Sequence, residues 1–163
     1  MTADFTFTYH SAQRDRFRSG SLADEWAARY PMIFDQADRE LVKNQPTYHF
    51  FEWLSAVLLY EATGLLILVE SYTVSTHPKK REKLQEIVGT DIFSWLAEKE
   101  SGQPDLFAFR PGTEEWFFCE VKGGPDKERD NQRVWREQFH ALMGCRKVKG
   151  ERVRMIQLRE IKF

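Results

Sequence analysis

Cysteine is scarce in this chain: Cys119 and Cys145 are the only two among 163 residues, too few for a disulfide framework. No leader with an apolar stretch and a small-residue cleavage pattern opens the sequence, so the expected compartment is the reducing cytoplasm. Long apolar runs are missing as well. The longest, Val57 to Val69, is broken by Glu61 and Gly64 and is too short to span a bilayer; no membrane role is expected. A formal net charge of −1 excludes a protein that is basic all round. Internal repeats and low-complexity stretches are absent. The four histidines, His10, His49, His77 and His140, show no mutual metal spacing, and the cysteines do not pair at zinc-site distance. Gly123-Gly124 is too short and wrongly placed for a loop that cradles nucleotide phosphates, and it reads as a turn.

What is present suits a single domain over residues 1–163, long enough to bury about two thirds of its unfolded surface. The 14% aromatic content predicts a well-filled core. Charge is lopsided. Residues 121–163 carry twelve Lys or Arg against six Asp or Glu, whereas the first 120 carry twelve against nineteen. Such a local basic excess is what a polyanionic substrate would meet.

Residues 1–47 read as a polar, helical N-terminal extension. Phe5 and Phe7 alternate with polar residues as in a short strand. Ser21-Leu22-Ala23-Asp24 resembles a capping box before a helix that Pro31 closes, and a second short helix is predicted from Asp35 to Lys43. After Pro46 a longer helix runs from about Thr47 to Thr63, stopped by Gly64. Leu65 to Val69, extended through Tyr72-Thr73-Val74, predicts a buried strand. Two helices around Glu82 to Val88 and Asp91 to Glu100 form an insertion near residues 78–102. Arg110-Pro111-Gly112-Thr113 is a turn between two apolar arms, Leu106 to Phe109 and Trp116 to Cys119, which predicts an antiparallel hairpin. Next comes a helix from about Asn131 to Met143, with Asp130 as N-cap and Gly144 as stop. Alternation from Val153 to Phe163 predicts a last, edge-side strand. The expected order is α-β-(αα)-β-β-α-β.

The hairpin carries the chemistry. Centring its turn between Gly112 and Thr113 sets Asp105 opposite Glu120, and directly opposed residues have Cβ atoms about 5 Å apart. Two carboxylates this close repel unless a divalent cation lies between them, and hard oxygen ligands suit Mg²⁺. Lys122, two residues beyond Glu120, points to the same face. This set suits metal-assisted phosphodiester hydrolysis. Asp105, Glu120 and the Val121 backbone carbonyl would be ligands, and Lys122 would orient or deprotonate water or stabilise charge on the phosphate. Gln132 shares a helical face with Trp135, Arg136 and Phe139, and either caps its helix or reaches the site. Lys127, Arg129, Arg133 and Arg136 are candidate phosphate contacts. Trp135 reads as core, with base stacking the alternative.

Gly102-Gln103-Pro104-Asp105-Leu106, Glu120-Val121-Lys122-Gly123, Asp126, the step from Gln132 to Trp135, and Leu142-x-Gly144 together resemble the PD-(D/E)XK nucleases, specifically their virus-type replication-repair nuclease (VRR-NUC) branch. The match runs over about residues 48 to 161 and is strongest from Gly102 to Gly144. The resemblance implies an α/β restriction-endonuclease-like fold: a mixed four-stranded sheet flanked by helices, with an αβββαβ core over 48–163. It also implies Mg²⁺ or Mn²⁺ and endonuclease or exonuclease action on DNA, in repair, recombination or the processing of phage or mobile-element DNA. Gln132 joins the catalytic residues on this basis. An acidic residue of the first core helix would join the metal site: Glu52, near the helix start as in the family, with Glu61, on the apolar stripe of Leu54, Val57 and Leu58, as the alternative. A non-catalytic or RNA-directed nucleic-acid-binding protein of the same fold is the alternative function. Symmetric cutting of a duplex would require a homodimer.

Overall fold

The computed structural model describes residues 2–70, 72, 73, 77–148, 150 and 152–162. Twelve elements follow in order: β1 (Phe5–His10), α1 (Ser11–Arg18), α2 (Ser21–Arg29), α3 (Gln36–Asn44), α4 (Phe50–Thr63), β2 (Leu66–Val69), α5 (Pro78–Val88), α6 (Thr90–Glu98), β3 (Leu106–Phe109), β4 (Trp116–Gly123), α7 (Asp130–Cys145) and β5 (Val153–Ile161). The α/β architecture matches the expectation, but the sheet has five strands rather than four, in the order β1-β5-β4-β3-β2. β1 pairs parallel to β5, Phe5 with Ile156 through His10 with Ile161. The N-terminal residues thus complete the sheet instead of merely preceding it. It follows that β5 is not an edge strand: β1 covers one side and β4 the other, parallel to both. Val74 and Phe163, expected within strands, lie outside the described residues.

The apolar faces of the strands sort the helices into two layers. On one face Leu106, Ala108, Phe117 and Cys119 pack with Phe17, Trp26, Val42 and Trp53 from α1 to α4. On the other, Phe107, Phe109, Trp116 and Phe118 pack with Leu84, Leu96, Trp135 and Phe139 from α5 to α7. Trp135 is buried and stacks on Phe139, with ring centres 4.9 Å apart, so it is core and offers no face to a base.

Local chemistry explains most element ends. Asp35 caps α3 by accepting from the Asp38 N–H at 2.8 Å. Gly64 ends α4 in the left-handed region, φ 73°. Three expected caps differ. Gly144 does not stop α7: its backbone is not in the left-handed region, and the helix runs through it to Cys145 with Arg146 as C-cap. Gly20, not Ser21, precedes α2 as its N-cap. α7 starts one residue early with Arg129 as N-cap, because Gln132 folds back and its Oε1 accepts from the Arg129 N–H at 2.9 Å.

Candidate metal centre and active site

The hairpin register pairs Leu106 with Cys119 and Phe109 with Trp116, and extending it by one residue sets Asp105 opposite Glu120. The neighbouring pairing of Val69 with Leu106 extends in the same way and brings Glu70 opposite Asp105. Glu70, Asp105 and Glu120 therefore stand on one level across three adjacent strands. β2 ends there: Glu70 has φ 42°, and its N–H donates to the Asp105 carbonyl at 2.9 Å. The loop before Asp105 is fixed from below, since the Tyr72 hydroxyl donates to the Pro104 carbonyl at 2.5 Å and Gln103 Nε2 to the Leu96 carbonyl at 3.2 Å.

Gly102 permits this approach. It has φ 80°, and a Cβ there would lie 2.1 Å from the backbone oxygen of Asn131. Only glycine lets the loop reach the start of α7. Gly123 serves the other side, where Phe51 of α4 lies flat enough on it that a Cβ would come 2.6 Å from the ring. α4 is thereby seated with its first turn over the end of β4, and Glu52 in that turn faces the carboxylate row.

Hydrogen bonds order the cluster. One Asp105 carboxylate oxygen accepts from the Val121 N–H at 2.8 Å. Lys122 Nζ donates to Gln132 Oε1 at 2.7 Å, and Gln132 Nε2 donates to Glu120 Oε2 at 3.2 Å. Gln132 thus bridges ammonium and carboxylate while closing the first turn of its own helix. All three side chains are buried, at 2% exposure for Glu120, 6% for Lys122 and 4% for Gln132.

Crowding raises the acids together. Burial, then the charges of Asp105 and Glu70, push Glu52 up to about 8. Burial raises Asp105 to about 6 and Glu70 adds to this, against the pull of the Val121 N–H and Lys122. Burial and the Asp105 charge take Glu120 to about 9. Carboxyls packed this closely retain protons until a cation replaces them.

Two residues of the cluster carry no motif signal. Glu70 falls inside what reads as one continuous strand, and its only cue is an acid directly after the apolar run Leu65 to Val69, mirroring Asp105 directly before Leu106. His49 adopts φ 73° at the N-cap of α4, and its Nδ1 lies 2.6 Å from Glu70 Oε2. That contact, more than the opposing effect of burial, raises the histidine above its usual range. His49, Glu52 and Glu70 bring ligand atoms within 4.8 Å of one another, a grouping that could hold a metal ion. Histidine spacing along the chain conceals it.

Glu61 lies nine residues beyond Glu52, about 13 Å along the helix. It accepts a hydrogen bond from the Tyr30 hydroxyl and takes no part in the carboxylate row. Of the basic residues, Lys127 and Arg129 line a cleft of about 320 Å³ together with Glu52, Asp105, Lys122 and Gln132. Arg133 and Arg136 do not line it: Arg133 reaches Glu137 at 3.2 Å, and Arg136 forks onto Glu128 at 2.8 and 2.9 Å.

A second trio, Asp35, Asp38 and His77, also converges. Its cation is already supplied, because the buried Lys80 donates to Asp38 and, at 2.6 Å, to the Val69 carbonyl. That ion pair sits beneath the residue preceding Glu70.

No protein-family model matches the chain, and no curated protein matches it. Among solved structures it is similar to paFAN1 bound to DNA with a gap and a 2-nucleotide 5′ flap, at 22% identity and TM-score 0.33, and to paFAN1 with a 1-nucleotide 5′ flap, at 25% identity and TM-score 0.31. Each match covers 94% of this chain and 23% of the other. Overlap this partial settles neither fold nor activity.

Proposed function

We propose that the chain is a divalent-metal-dependent nuclease of the VRR-NUC type that hydrolyses DNA phosphodiester bonds. The observation that carries the proposal is the row of Glu70, Asp105 and Glu120 on adjacent strands, faced by Glu52 and flanked by Lys122. The four acids offer hard oxygen donors that give up their protons to a cation, a set that suits Mg²⁺ or Mn²⁺, and the lysine adds a positive charge beside them. Asp105, Glu120, the Val121 carbonyl and Glu52 would hold the cation. When bound, such an ion polarises a phosphoryl oxygen and acidifies water.

The chain's own groups supply the rest. Lys122 offers its ammonium to negative charge developing on the phosphoryl oxygens. Gln132 holds that ammonium through Oε1, and its amide N–H holds Glu120, so one amide orients both groups. Lys127 and Arg129 flank the cleft as phosphate contacts and draw a polyanion toward a site that would otherwise repel it. Burial of Glu120, Lys122 and Gln132 excludes bulk water and strengthens each of these contacts.

Plasmid, linear, branched and single-stranded DNA, with matched RNA, incubated with Mn²⁺ and set beside Lys122→Ala, test the proposal. Cleavage of DNA by the wild type and its loss in the variant is the expected result. Binding without cleavage by the wild type would identify a non-catalytic binding protein, and cleavage of RNA alone would move the substrate class.

A further inference from the structure

The cleft at the carboxylates continues past Glu52. On the far side of Phe51 and Glu52 lies a second depression of about 310 Å³, whose walls include Arg14, Arg18, Tyr48 and His49. Phe51 and Glu52 line both spaces, so they are a shared sill between them. The second space is basic and aromatic. Arg14 and Arg18 are one turn apart on α1 and leave it on one side. Arg14 is held in place: its guanidinium donates to the Tyr9 hydroxyl at 2.6 Å and lies 5.0 Å from the centre of the Phe51 ring. Arg18 is exposed.

Tyr48 is 66% exposed, while Tyr9, Tyr30 and Tyr72 are all at 5% or less. The left-handed turn at His49 directs the chain into α4 and leaves the preceding tyrosine outside the core. Its one ring neighbour among the described residues is His49, at 6.4 Å and steeply inclined, not stacked on it, and most of the phenol side chain is open to solvent. An anionic strand lying across the carboxylate row would meet Lys127 and Arg129 on one side and Arg14 and Arg18 on the other. Bases of a duplex are stacked on each other and leave no face for Tyr48; an unpaired base has one.

We infer that the depression between Arg14, Arg18 and Tyr48 is a subsite for an unpaired nucleotide of DNA next to the cleaved bond, with its phosphate on the two arginines and its base on Tyr48. The inference rests on the nuclease reading and adds the form of DNA that the site accepts. The N-terminal helix α1 is then a part of the substrate surface.

Fluorescence anisotropy with the full chain, in Ca²⁺ to hold binding apart from cleavage, tests it. The probes are a blunt duplex and the same duplex carrying a short single-stranded tail of DNA or RNA. The wild type binds the DNA-tailed duplex more tightly than the blunt one. Tyr48→Ala weakens tailed binding by roughly 5- to 100-fold, the span of one base–aromatic stack, Arg18→Ala weakens it by roughly 2- to 5-fold, the span of one exposed ion pair, and Tyr48→Trp retains it. Blunt-duplex affinity and Mn²⁺ binding stay unchanged in Tyr48→Ala. Tailed binding by Tyr48→Ala at the wild-type level overturns the subsite, as does tighter binding of the RNA tail. If the wild type cleaves DNA but binds both duplexes alike, the subsite alone falls; if it binds no DNA, the nuclease reading falls with it.

Discussion

A divalent cation such as Mn²⁺ taken up by the carboxylate row, as proposed, should release protons, and the number follows from the acids of that row. With Glu52 raised to about 8, Glu120 to about 9 and Asp105 to about 6, the metal-free site holds about two protons at neutral pH, one on each glutamic acid. The unfolded chain holds none there, because its acids titrate near 4. The folded-state values are raised, so the stability these groups contribute is fully present below the unfolded value and is lost as pH rises through 6 to 9. The metal-free protein thus loses on the order of 2 kcal/mol per pH unit around neutrality. A cation reverses this by taking the place of the protons, and its affinity climbs by roughly 10- to 100-fold per pH unit over the same range. Isothermal titration calorimetry in buffers of different ionisation enthalpy counts the protons directly. Release of about two near pH 7, and markedly fewer near pH 9, is expected. Release close to zero at both pH values, with an affinity that does not change, would refute the reasoning.

Other consequences of the geometry are as direct. Lys122→Met removes the ammonium that Gln132 holds and, under the proposed function, should lower the rate of DNA cleavage by about 10²- to 10³-fold while Mn²⁺ binding, measured by calorimetry, should persist. Gly102→Ala sets a Cβ 2.1 Å from the Asn131 oxygen at a φ of 80°, and the melting temperature should fall by about 4–12 °C, for a loss of about 2–3 kcal/mol. Asp38→Ala strands the buried Lys80 ammonium and costs about 3–5 kcal/mol in chemical denaturation, whereas Asp38→Leu combined with Lys80→Met recovers most of it; a double variant as unstable as the single one would contradict the pairing.

The sequence made the hairpin legible because its evidence is local. Arg110-Pro111-Gly112-Thr113 marks the turn, two aromatic arms mark the strands, and counting outward from the turn yields the observed register of Leu106 with Cys119. Gln132 was equally accessible, since a step of three on a helix places it beside Trp135. The place of β5 was hidden. Its alternation fits an edge strand, and its partner β1 lies some 150 residues away in the chain, beyond the reach of any local pattern. Glu70 was concealed within an apparent strand whose end is set by a left-handed backbone turn. Choosing between Glu52 and Glu61 required tertiary contacts: Phe51 on Gly123 turns Glu52 to the row, and Tyr30 of the N-terminal region engages Glu61. The same applies to Arg136, basic by composition but joined to Glu128 by a fork.

The proposed chemistry stands on a divalent cation held by the carboxylate row. Crystals soaked in Mn²⁺ and measured at the manganese absorption edge test that claim most directly. The expected result is an anomalous peak bounded by Asp105, Glu120 and the Val121 carbonyl, within reach of Glu52, and its disappearance in Asp105→Asn. Full Mn²⁺ occupancy elsewhere with no peak at Asp105 and Glu120, or a peak that survives unchanged in the variant, would contradict it.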